Sequence, residues 1–244
     1  KNHSEKSFDF SPEINCFVGN NGAGKTNILD ALHYLSMAKS FLGNLDAQNI
    51  LHESDFFAIE AEIQGEEKND IIKVQLPKEG KKIIKKNDKT YERIADHIGF
   101  LPSVMISPYD ANLISDGSES RRKFLDAMIS QTDSDYLFAL IQYQKTLQQR
   151  NALLKYFAKN RTFDLDSLEI YNEPLTKFGT QIFEKRQRFV ASILPTIQHF
   201  YEIISKGNEK VTVIYESNLN EQNFEEILSE NLEKDRVLTY TSRG

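Results

Sequence analysis

Apolar and polar residues alternate along two neighbouring segments of the chain, Phe56 to Ile63 and Ile71 to Leu76. A period of two puts successive side chains on opposite faces, so each segment is predicted to be a β-strand with one buried face. The polar run 65–70 between them is typical of a turn. Lys81 to Lys86, followed by an Asn-Asp pair, predicts a further strand that enters a tight turn. The pattern therefore predicts a small antiparallel sheet.

Four further segments are predicted to be strands from their apolar runs or, at 211–215, from alternation. They are Ile14 to Val18, Leu101 to Ile106, Val211 to Tyr215 and Val237 to Thr241. The first is suited to a buried strand, and the second is a candidate central strand that ends at Ser107-Pro108, because proline cannot continue the pairing. Cys16 lies in the first run and is the one cysteine of the chain. It is therefore expected to be a small buried apolar residue without an internal disulfide.

From Ser118 to about Ser205 the pattern changes, and long helices with few breaks are predicted. Apolar residues recur there every seven positions, which gives a seam for helix packing. The seam consists of Leu168, Leu175, Ile182 and Phe189, with Tyr171 and Phe178 three positions after the first two. The facing stripe on the preceding helix consists of Leu137, Leu140, Ile141, Leu147 and Leu154. We therefore predict an antiparallel helical arm, with a kink at Pro195.

These patterns divide the chain into residues 1–117, an inserted helical lobe at 118–205 and a return segment at 206–244. The return segment contains Phe224, Ile227 and Leu228, whose spacing predicts a short amphipathic helix. The formal net charge of -6 means that any contact with DNA depends on local basic patches. No apolar segment is long enough to span a bilayer, so no membrane partner is expected, and the single cysteine favours a reducing cytoplasm.

Gly19 to Thr26 reads Gly-Asn-Asn-Gly-Ala-Gly-Lys-Thr, a complete G-x-x-x-x-G-K-[ST] phosphate-binding loop. Such a loop wraps a triphosphate with backbone N–H groups, and a Cβ at its glycines is expected to block the turn. The lysine can reach the β- and γ-phosphate oxygens, and the threonine hydroxyl can bind Mg²⁺. We predict that ATP and Mg²⁺ bind to Gly19, Asn20, Asn21, Gly22, Ala23, Gly24, Lys25 and Thr26, with Thr26 as the Mg²⁺ ligand.

The residues on either side of the loop argue against a chance match, which is expected in roughly one chain in a hundred of this length. An apolar strand candidate precedes the loop. Ile28, Leu29, Leu32 and Leu35 follow it at helical spacing. Strand, loop and helix therefore occur in the order that a nucleotide-binding loop requires.

A second motif runs from Pro108 to Asp126 through a glycine turn to Arg-Arg-Lys-Phe-Leu-Asp. Together with the phosphate-binding loop, this stretch resembles the RecF family. Gln148 to Asn151 and Asp235 to Thr241 resemble further segments of that family, so the likeness runs the whole length. Tyr109 stands where the family usually has an acid, with Asp110 beside it. Asp116-Gly117-Ser118 replaces the commoner Gly-Gly-Pro.

The resemblance implies an α/β fold, a P-loop NTPase of the ABC-ATPase head type with a mixed sheet and an inserted helical arm. In that family two heads close on ATP as a homodimer and bind gapped duplex and single-strand DNA. They act with RecO and RecR, and indirectly with RecA, in DNA replication, DNA repair and the SOS response in the cytoplasm. These partners and this location are therefore what the resemblance implies for the chain.

Six basic residues are candidates for contact with DNA phosphates: Lys81, Lys82, Lys85, Lys86, Arg121 and Arg122. For the lysines the alternative is a solvated strand edge that discourages aggregation. For the arginines the alternative is a structural role at the helix start, with pairing to acids such as Asp126. Ser118-Glu119-Ser120 can supply N-capping oxygens at that start.

Two parts of an ABC cassette are missing from the sequence. No run of four apolar residues ends in Asp-Asp or Asp-Glu, and no Leu-Ser-x-Gly-Gln signature is present. Ile114-Ser115-Asp116-Gly117 is similar to the signature but lies too early for the family. Both parts belong to the family's C-terminal third, and the chain starts at Lys1, so we expect a fragment that lacks the first strand and that third. Weak nucleotide binding without hydrolysis is the expected activity.

Two other functions fit the sequence less well. An SMC-like ATP-gated clamp shares the head, but the predicted arm is too short for a long coiled coil. A P-loop kinase requires a mobile lid with arginines over Lys25, whereas the residues after the loop predict a sheet and then an arm.

Overall fold

Four strands pair side by side in a computed structural model that describes residues 5–43, 45–65 and 67–243. They are β1 (Phe56–Ile63), β2 (Asp70–Pro77), β3 (Ile83–Lys86) and β4 (Lys89–Thr90). Each pairing is antiparallel, as predicted. The alternating pattern also predicted both long strands, β1 and β2, correctly. Asn87 and Asp88 have φ angles of 49° and 63°, as two-residue hairpin turns require. The resemblance implies a mixed sheet, but all pairings in the described sheet are antiparallel.

Helix α1 (Lys25–Met37) packs on one face of this sheet. Strand alternation brings Ile72, Val74 and Ile84 to that face, and helical spacing brings Tyr34 and Leu35 against them. Burial of an aliphatic side chain of this size stabilises the fold by roughly 1.5–3 kcal/mol. The phosphate-binding loop precedes α1 directly, so this core fixes the helix that ends the loop.

Short helical turns follow α1 and the sheet, at Asp46–Asn49, Ile94–His97 and Pro108–Ala111, and α2 (Asn112–Ser115) follows the last of them. The Pro108 turn has a reciprocal cap. The N–H of Tyr109 donates to Ser107 Oγ at 3.2 Å, and the N–H of Ser107 donates to Asp110 Oδ2 at 2.6 Å. Asp110, the acid next to Tyr109 in the second motif, therefore stabilises this turn.

Two predicted strands of this region are absent. Residues 14–18 and 101–106 have irregular backbone, and Val18 and Ile106 are 94% and 83% exposed. Cys16 is exposed as well, so its predicted burial is wrong. A strand forms only with a hydrogen-bonded neighbour, and within the described ranges no strand pairs with either segment. Their composition favours strands, but composition carries no information about a neighbour.

Three helices build the second region: α3 (Ser118–Thr132), α4 (Ser134–Asn160) and α5 (Leu165–Ser205). Asp133 caps α4 by accepting from the N–H of Tyr136 at 2.9 Å. Asp133 also binds Lys185 on α5, and Arg150 of α4 binds Asn172. Contacts advance along α4 while they recede along α5, so the two helices are antiparallel, as predicted.

The predicted seam on α5 is largely correct. Leu168, Leu175 and Ile182 are buried, and Phe178 and Phe189 are half-buried against the cluster that contains Ile182. The predicted stripe on α4 is only partly correct, because Ile141 is exposed and most of the stripe is half-buried. The buried positions of α4 are Tyr136, Ala139, Thr146, Arg150, Leu154 and Phe157. Helix α5 continues through both Pro174 and Pro195.

Two short helices, α6 (Phe224–Glu230) and α7 (Leu232–Leu238), complete the second region. The predicted amphipathic helix is confirmed by α6, whose Phe224, Ile227 and Leu228 are buried. The Phe224 ring lies against Gly179 of α5, where a Cβ would come within 2.4 Å of a ring carbon. Glycine at that position therefore permits the close packing of α6 on α5.

The strands predicted at 211–215 and 237–241 are wrong. Residues 211–215 have irregular backbone with Ile214 73% exposed, and Val237 and Leu238 are the last residues of α7. Thr239 then turns the chain with a φ of 60°. Within the described ranges no strand pairs with residues 211–215, and at 237–238 the helix prevails over a weak local preference for strand.

The chain divides into two compact units between Asp116 and Gly117. The boundary lies one residue before the end of the predicted first part, and residues 206–243 belong to the unit that contains the arm helices. Within the described part of the chain, no helix has both the length and the apolar composition needed to cross a membrane.

Candidate nucleotide-binding site

The phosphate-binding loop ends in an abrupt helix start. Gly22 and Gly24 have φ angles of 82° and 90°, and Gly24 is the N-terminal cap of α1. A Cβ at Gly22 would meet no atom within 4 Å. Glycine is therefore required there by the backbone angle and not by crowding, which corrects the reason inferred from the sequence.

Lys25 is the first residue of α1, and its side chain folds back over the loop. Its ammonium group donates to the carbonyl oxygens of Gly19 at 2.7 Å and Asn20 at 2.9 Å. The N–H of Ala23 also donates to Asn20 O at 3.2 Å. The loop therefore closes around the lysine ammonium, which places a positive charge at the centre of the curved backbone.

Thr26 lies beside Lys25 in the first turn of α1, and its side chain is exposed. The first N–H groups of a helix have no intrahelical acceptor, and they carry the positive end of the helix dipole. The loop, the lysine and this helix start converge on one side, an arrangement suited to an anion with several oxygen atoms.

Buried hydrogen bonds hold α1 in place below the loop. Asp30 is 5% exposed and accepts from Ser40 Oγ at 2.8 Å and from the N–H of Phe41 at 2.7 Å. Tyr34 donates its hydroxyl proton to Asp46 at 2.7 Å, and burial is the main cause of its raised pKa, so it stays protonated. These contacts fix the helix on which Lys25 and Thr26 lie.

His97 also contacts α1, at Leu35. Its Nε2 lies 2.6 Å from the carbonyl oxygen of Leu35, close enough for a hydrogen bond. The ring is fully buried, and its Nδ1 has no hydrogen-bond partner in the described part of the chain. Burial lowers the pKa of His97 below its ordinary value of 6.5. The neutral ring, with its proton on Nε2, is therefore the form that fits this position.

The four candidate lysines of the hairpin separate into two pairs. Lys82 is held by Asp46 at 2.6 Å and by the carbonyl oxygen of Ala38, and it lies over the Tyr34 ring. Lys86 binds Asp70 at 2.9 Å and lies 3.7 Å from the centre of the Phe100 ring. Both lysines therefore already have structural partners.

Lys81 and Lys85 form no ion pair within the described part of the chain. Lys81 is exposed, and Lys85 lies on the outer face of the sheet opposite Lys73. Lys73 pairs there with Glu60 at 3.4 Å, so that face carries both signs of charge. For Lys81 and Lys85, contact with DNA and a solvated strand edge both stay predictions.

Arg121 and Arg122 lie exposed in the first turn of α3. Arg122 donates to Ser118 Oγ at 2.8 Å. The N-cap of α3 is Gly117 and no side chain caps it, so the predicted capping by Ser118-Glu119-Ser120 is wrong. Asp126 accepts two hydrogen bonds from Arg186 at 2.9 Å and one from the Tyr136 hydroxyl. The final acid of the second motif thus joins α3 to α4 and α5.

A buried arginine lies at the centre of the second unit, and no sequence pattern predicted it. Arg150 is fully buried and donates to Asp235 Oδ2, Asn172 Oδ1 and Thr241 Oγ1, each at 2.8 Å. Asn151 accepts from the N–H of Thr241 at 2.7 Å. The two segments flagged only for their likeness to the family, 148–151 and 235–241, therefore meet here. Their resemblance to the family was the sequence feature that could have pointed to this network.

The described residues contain no group of three or more His, Cys, Asp or Glu side chains placed to hold a metal ion. A Mg²⁺ ion that binds with a nucleotide takes part of its coordination from phosphate oxygens. Thr26 at the loop is the protein oxygen that fits this role.

Comparison with known proteins identifies the class to which this fold and loop belong. A family model described as an AAA domain matches residues 1–241. The DNA replication and repair protein RecF of Flavobacterium johnsoniae is 52% identical over 244 residues, which is all of this chain and 68% of that protein. RecF of Phocaeicola vulgatus is 45% identical over 247 positions, covering 100% of this chain and 65% of that protein.

Solved structures agree with these relatives. The structure of the recombination mediator protein RecF-ATPrS in the RecFOR pathway matches with a TM-score of 0.86 and 31% identity, over 93% of this chain and 63% of that one. The corresponding RecF-ATP structure matches with a TM-score of 0.83 and 31% identity, over 92% and 62%. The chain thus spans about two thirds of the length of the proteins that it matches.

The chain is an α/β P-loop NTPase of the ABC-ATPase head type with an inserted helical arm. The match to the AAA domain model places it in that family. Within that class it belongs to the RecF family of DNA replication and repair proteins.

Proposed function

We propose that the chain binds ATP through its phosphate-binding loop. The observation that supports this most strongly is the closure of the loop around the Lys25 ammonium, 2.7 Å from Gly19 O and 2.9 Å from Asn20 O. On binding, the γ- and β-phosphate oxygens replace these carbonyl oxygens as acceptors from Lys25, and backbone N–H groups of the loop donate to the phosphates. The nucleotides in the two matched RecF structures agree with this role.

The proposal includes Mg²⁺, which binds together with the nucleotide. Thr26 supplies a hydroxyl oxygen to the ion, and phosphate oxygens and water supply the others. Asp30 lies on the same helix, but Ser40 and Phe41 already occupy its carboxylate oxygens. We therefore assign no metal role to Asp30.

In its cellular role, the protein of which this chain is part acts on gapped duplex and single-strand DNA during DNA repair, replication and the SOS response. RecR and RecO are its partners and RecA an indirect one, because the RecF relatives are named for replication and repair and for the RecFOR pathway. ATP-dependent pairing of two heads completes this proposal, together with a cytoplasmic location. The proposed phosphate contacts are Lys81, Lys85, Arg121 and Arg122. Lys82 and Lys86 are not among them, because they already pair with acids of the same unit.

The DNA role is tested by binding of a labelled gapped duplex to the protein with and without ATP. We expect binding to strengthen with ATP, and Lys25→Ala to remove that increase while weak nucleotide-independent binding remains. Lys78→Ala serves as the matched control, since Lys78 is an exposed lysine of the same unit and is not among the proposed phosphate contacts. Binding that is insensitive to ATP in the parent protein would count against nucleotide control.

Hydrolysis is a separate prediction. The sequence contains no apolar run ending in paired acids and no cassette signature, so water and the second metal contact are not positioned by the chain itself. We expect phosphate release at the background rate, measured with a coupled phosphate assay. Steady release that disappears in Lys25→Ala would show that the chain is catalytically complete.

A further inference from the structure

Helix α4 presents an acid-free surface in an acidic protein. From Tyr136 to Phe163 the sequence has five basic residues and no aspartate or glutamate, although the chain has a formal net charge of -6. One of the five, Arg150, is buried against Asp235. The other four are Lys145, Lys155, Lys159 and Arg161, and all four are exposed.

The three lysines lie on one side of α4. With 3.6 residues per turn, Lys145, Lys155 and Lys159 fall within roughly 80° around the helix axis and span about 21 Å along it. Gln148 lies between them, and Tyr156, 59% exposed, borders them. We call these five residues the α4 basic face. The buried positions of α4 lie on the opposite side, so packing of the arm leaves this face open.

The lack of acids distinguishes this face from basic residues elsewhere in the unit. Lys123 pairs with Glu119 at 2.7 Å, Arg188 with Glu184 at 3.2 Å, and Arg236 with Glu233 at 2.6 Å. Each of these pairs lies within one turn of its own helix. On α4, no acid lies three or four residues from any of the three lysines, so no such local pairing is possible.

Helix stability accounts for only part of the pattern. Lys159 is in the last turn of α4, where a positive charge interacts favourably with the helix dipole. Lys145 and Lys155 lie outside that turn, and an uncompensated row of like charges weakens a helix slightly. The face is therefore better explained by an external partner with negative charge.

We propose that the α4 basic face binds the sugar-phosphate backbone of duplex DNA. The inference rests on the proposed DNA function and adds a binding surface to it, distinct from the hairpin lysines and from Arg121 and Arg122. The ammonium groups neutralise phosphates along about 21 Å of duplex. The Gln148 amide and the Tyr156 hydroxyl add hydrogen bonds to phosphate oxygens. These contacts position the duplex without reading its bases.

The test compares two triple variants of the protein with the same change in charge. Lys145→Gln, Lys155→Gln and Lys159→Gln neutralise the face, and glutamine retains helix propensity and bulk. The control, Lys177→Gln, Lys210→Gln and Lys234→Gln, removes three exposed lysines elsewhere in the same unit. Fluorescence anisotropy of a labelled gapped duplex is followed from about 50 to about 300 mM NaCl, and circular dichroism checks the helices.

We expect the face variant to lower the slope of log affinity against log salt by about two to three units. At about 0.1 M salt its affinity falls on the order of a hundredfold, while the control changes much less. Equal slopes for the two variants, with the parent still binding, would overturn the inference and leave the DNA function intact. Absence of duplex binding by the parent at every salt concentration would overturn both. A third outcome would also contradict the inference. If poly-glutamate displaces the duplex and both triple variants lose duplex affinity by the same factor, the attraction is one of nonspecific charge.

Discussion

At the scale of single residues, Lys82 and Lys86 are candidate phosphate contacts by sequence, but in the structure they stabilise the fold. Lys82 is 11% exposed and joins Asp46, the Ala38 carbonyl oxygen and the Tyr34 ring. Its neighbour Lys81 is exposed. Two adjacent lysines thus have different environments, which the Lys-Lys pair in the sequence could not show.

Lys82→Ala is therefore expected to destabilise the first unit by about 1–3 kcal/mol, because it leaves the Ala38 carbonyl oxygen and the Asp46 carboxylate without this donor. Lys81→Ala is the matched control and should change the free energy of unfolding by less than about 0.5 kcal/mol. Urea unfolding of the two variants measures the difference. Equal destabilisation by both would refute the structural role of Lys82.

His97 gives a pH dependence with a defined sign. Burial lowers its pKa in the folded protein below the ordinary value of 6.5, so the unfolded chain binds the proton more readily. The stability from the neutral ring is fully present above pH 6.5 and is lost as the pH falls from there towards the folded pKa. The loss is at most about 1.4 kcal/mol per pH unit.

His97→Gln isolates this contribution, because a glutamine amide can still donate to Leu35 O but does not titrate. We expect the parent to lose more stability than the variant between pH 7.5 and pH 5.5 in urea unfolding. Burial also lowers the pKa of His33, so the parent and the variant must be compared at each pH. Parallel pH profiles would show that His97 does not titrate in this window.

At the scale of elements, the buried Arg150–Asp235 pair joins α4 to α7, and Arg150 also binds Asn172 of α5. Arg150 is 0% and Asp235 is 1% exposed, and the N–H of Ser242 donates to Asp235 Oδ1 at 2.8 Å. Such a pair adds little net stability over apolar packing, but each partner is costly to bury alone. The pair therefore fixes where the segment after α7 lies on α4.

Arg150→Met is expected to destabilise the second unit by about 3–5 kcal/mol, since it leaves the Asp235 carboxylate buried without its arginine. In the double variant with Asp235→Leu much of that loss should be recovered. Chemical unfolding followed by the helical signal provides the comparison. If the double variant loses more stability than the two single variants lose together, the broken ion pair is not the cause of the destabilisation.

The elements that sequence patterns predict well are those whose partners lie close in the sequence. Strands β1 and β2 face each other across one turn, and α4 and α5 across another, so each pattern implies its own neighbour. Residues 14–18 and 101–106 have strand composition but no pairing strand in the described ranges, and composition alone cannot supply one. Thr239 ends α7 in a conformation that β-branched residues rarely adopt, and the pattern gave no sign of it.

At the scale of the whole molecule, the candidate site was predictable because it is local. Eight consecutive residues define the loop, and the backbone angles of Gly22 and Gly24 follow from glycine at those positions. The Arg150 network, by contrast, joins residues 85 positions apart, and no spacing rule reveals it. The division of the chain into 1–117, 118–205 and 206–244 remains a prediction, set beside two compact units that meet between Asp116 and Gly117.

Nucleotide binding is the property on which the proposed function depends, and titration calorimetry of ATP with Mg²⁺ measures it directly. The parent chain should bind ATP weakly, and Lys25→Ala should show no measurable binding, because the positive charge at the centre of the loop is removed. Lys81→Ala, which removes a charge elsewhere in the same unit, should bind as the parent does. Equal affinity in the parent and in Lys25→Ala would contradict the assignment of the loop as the nucleotide site.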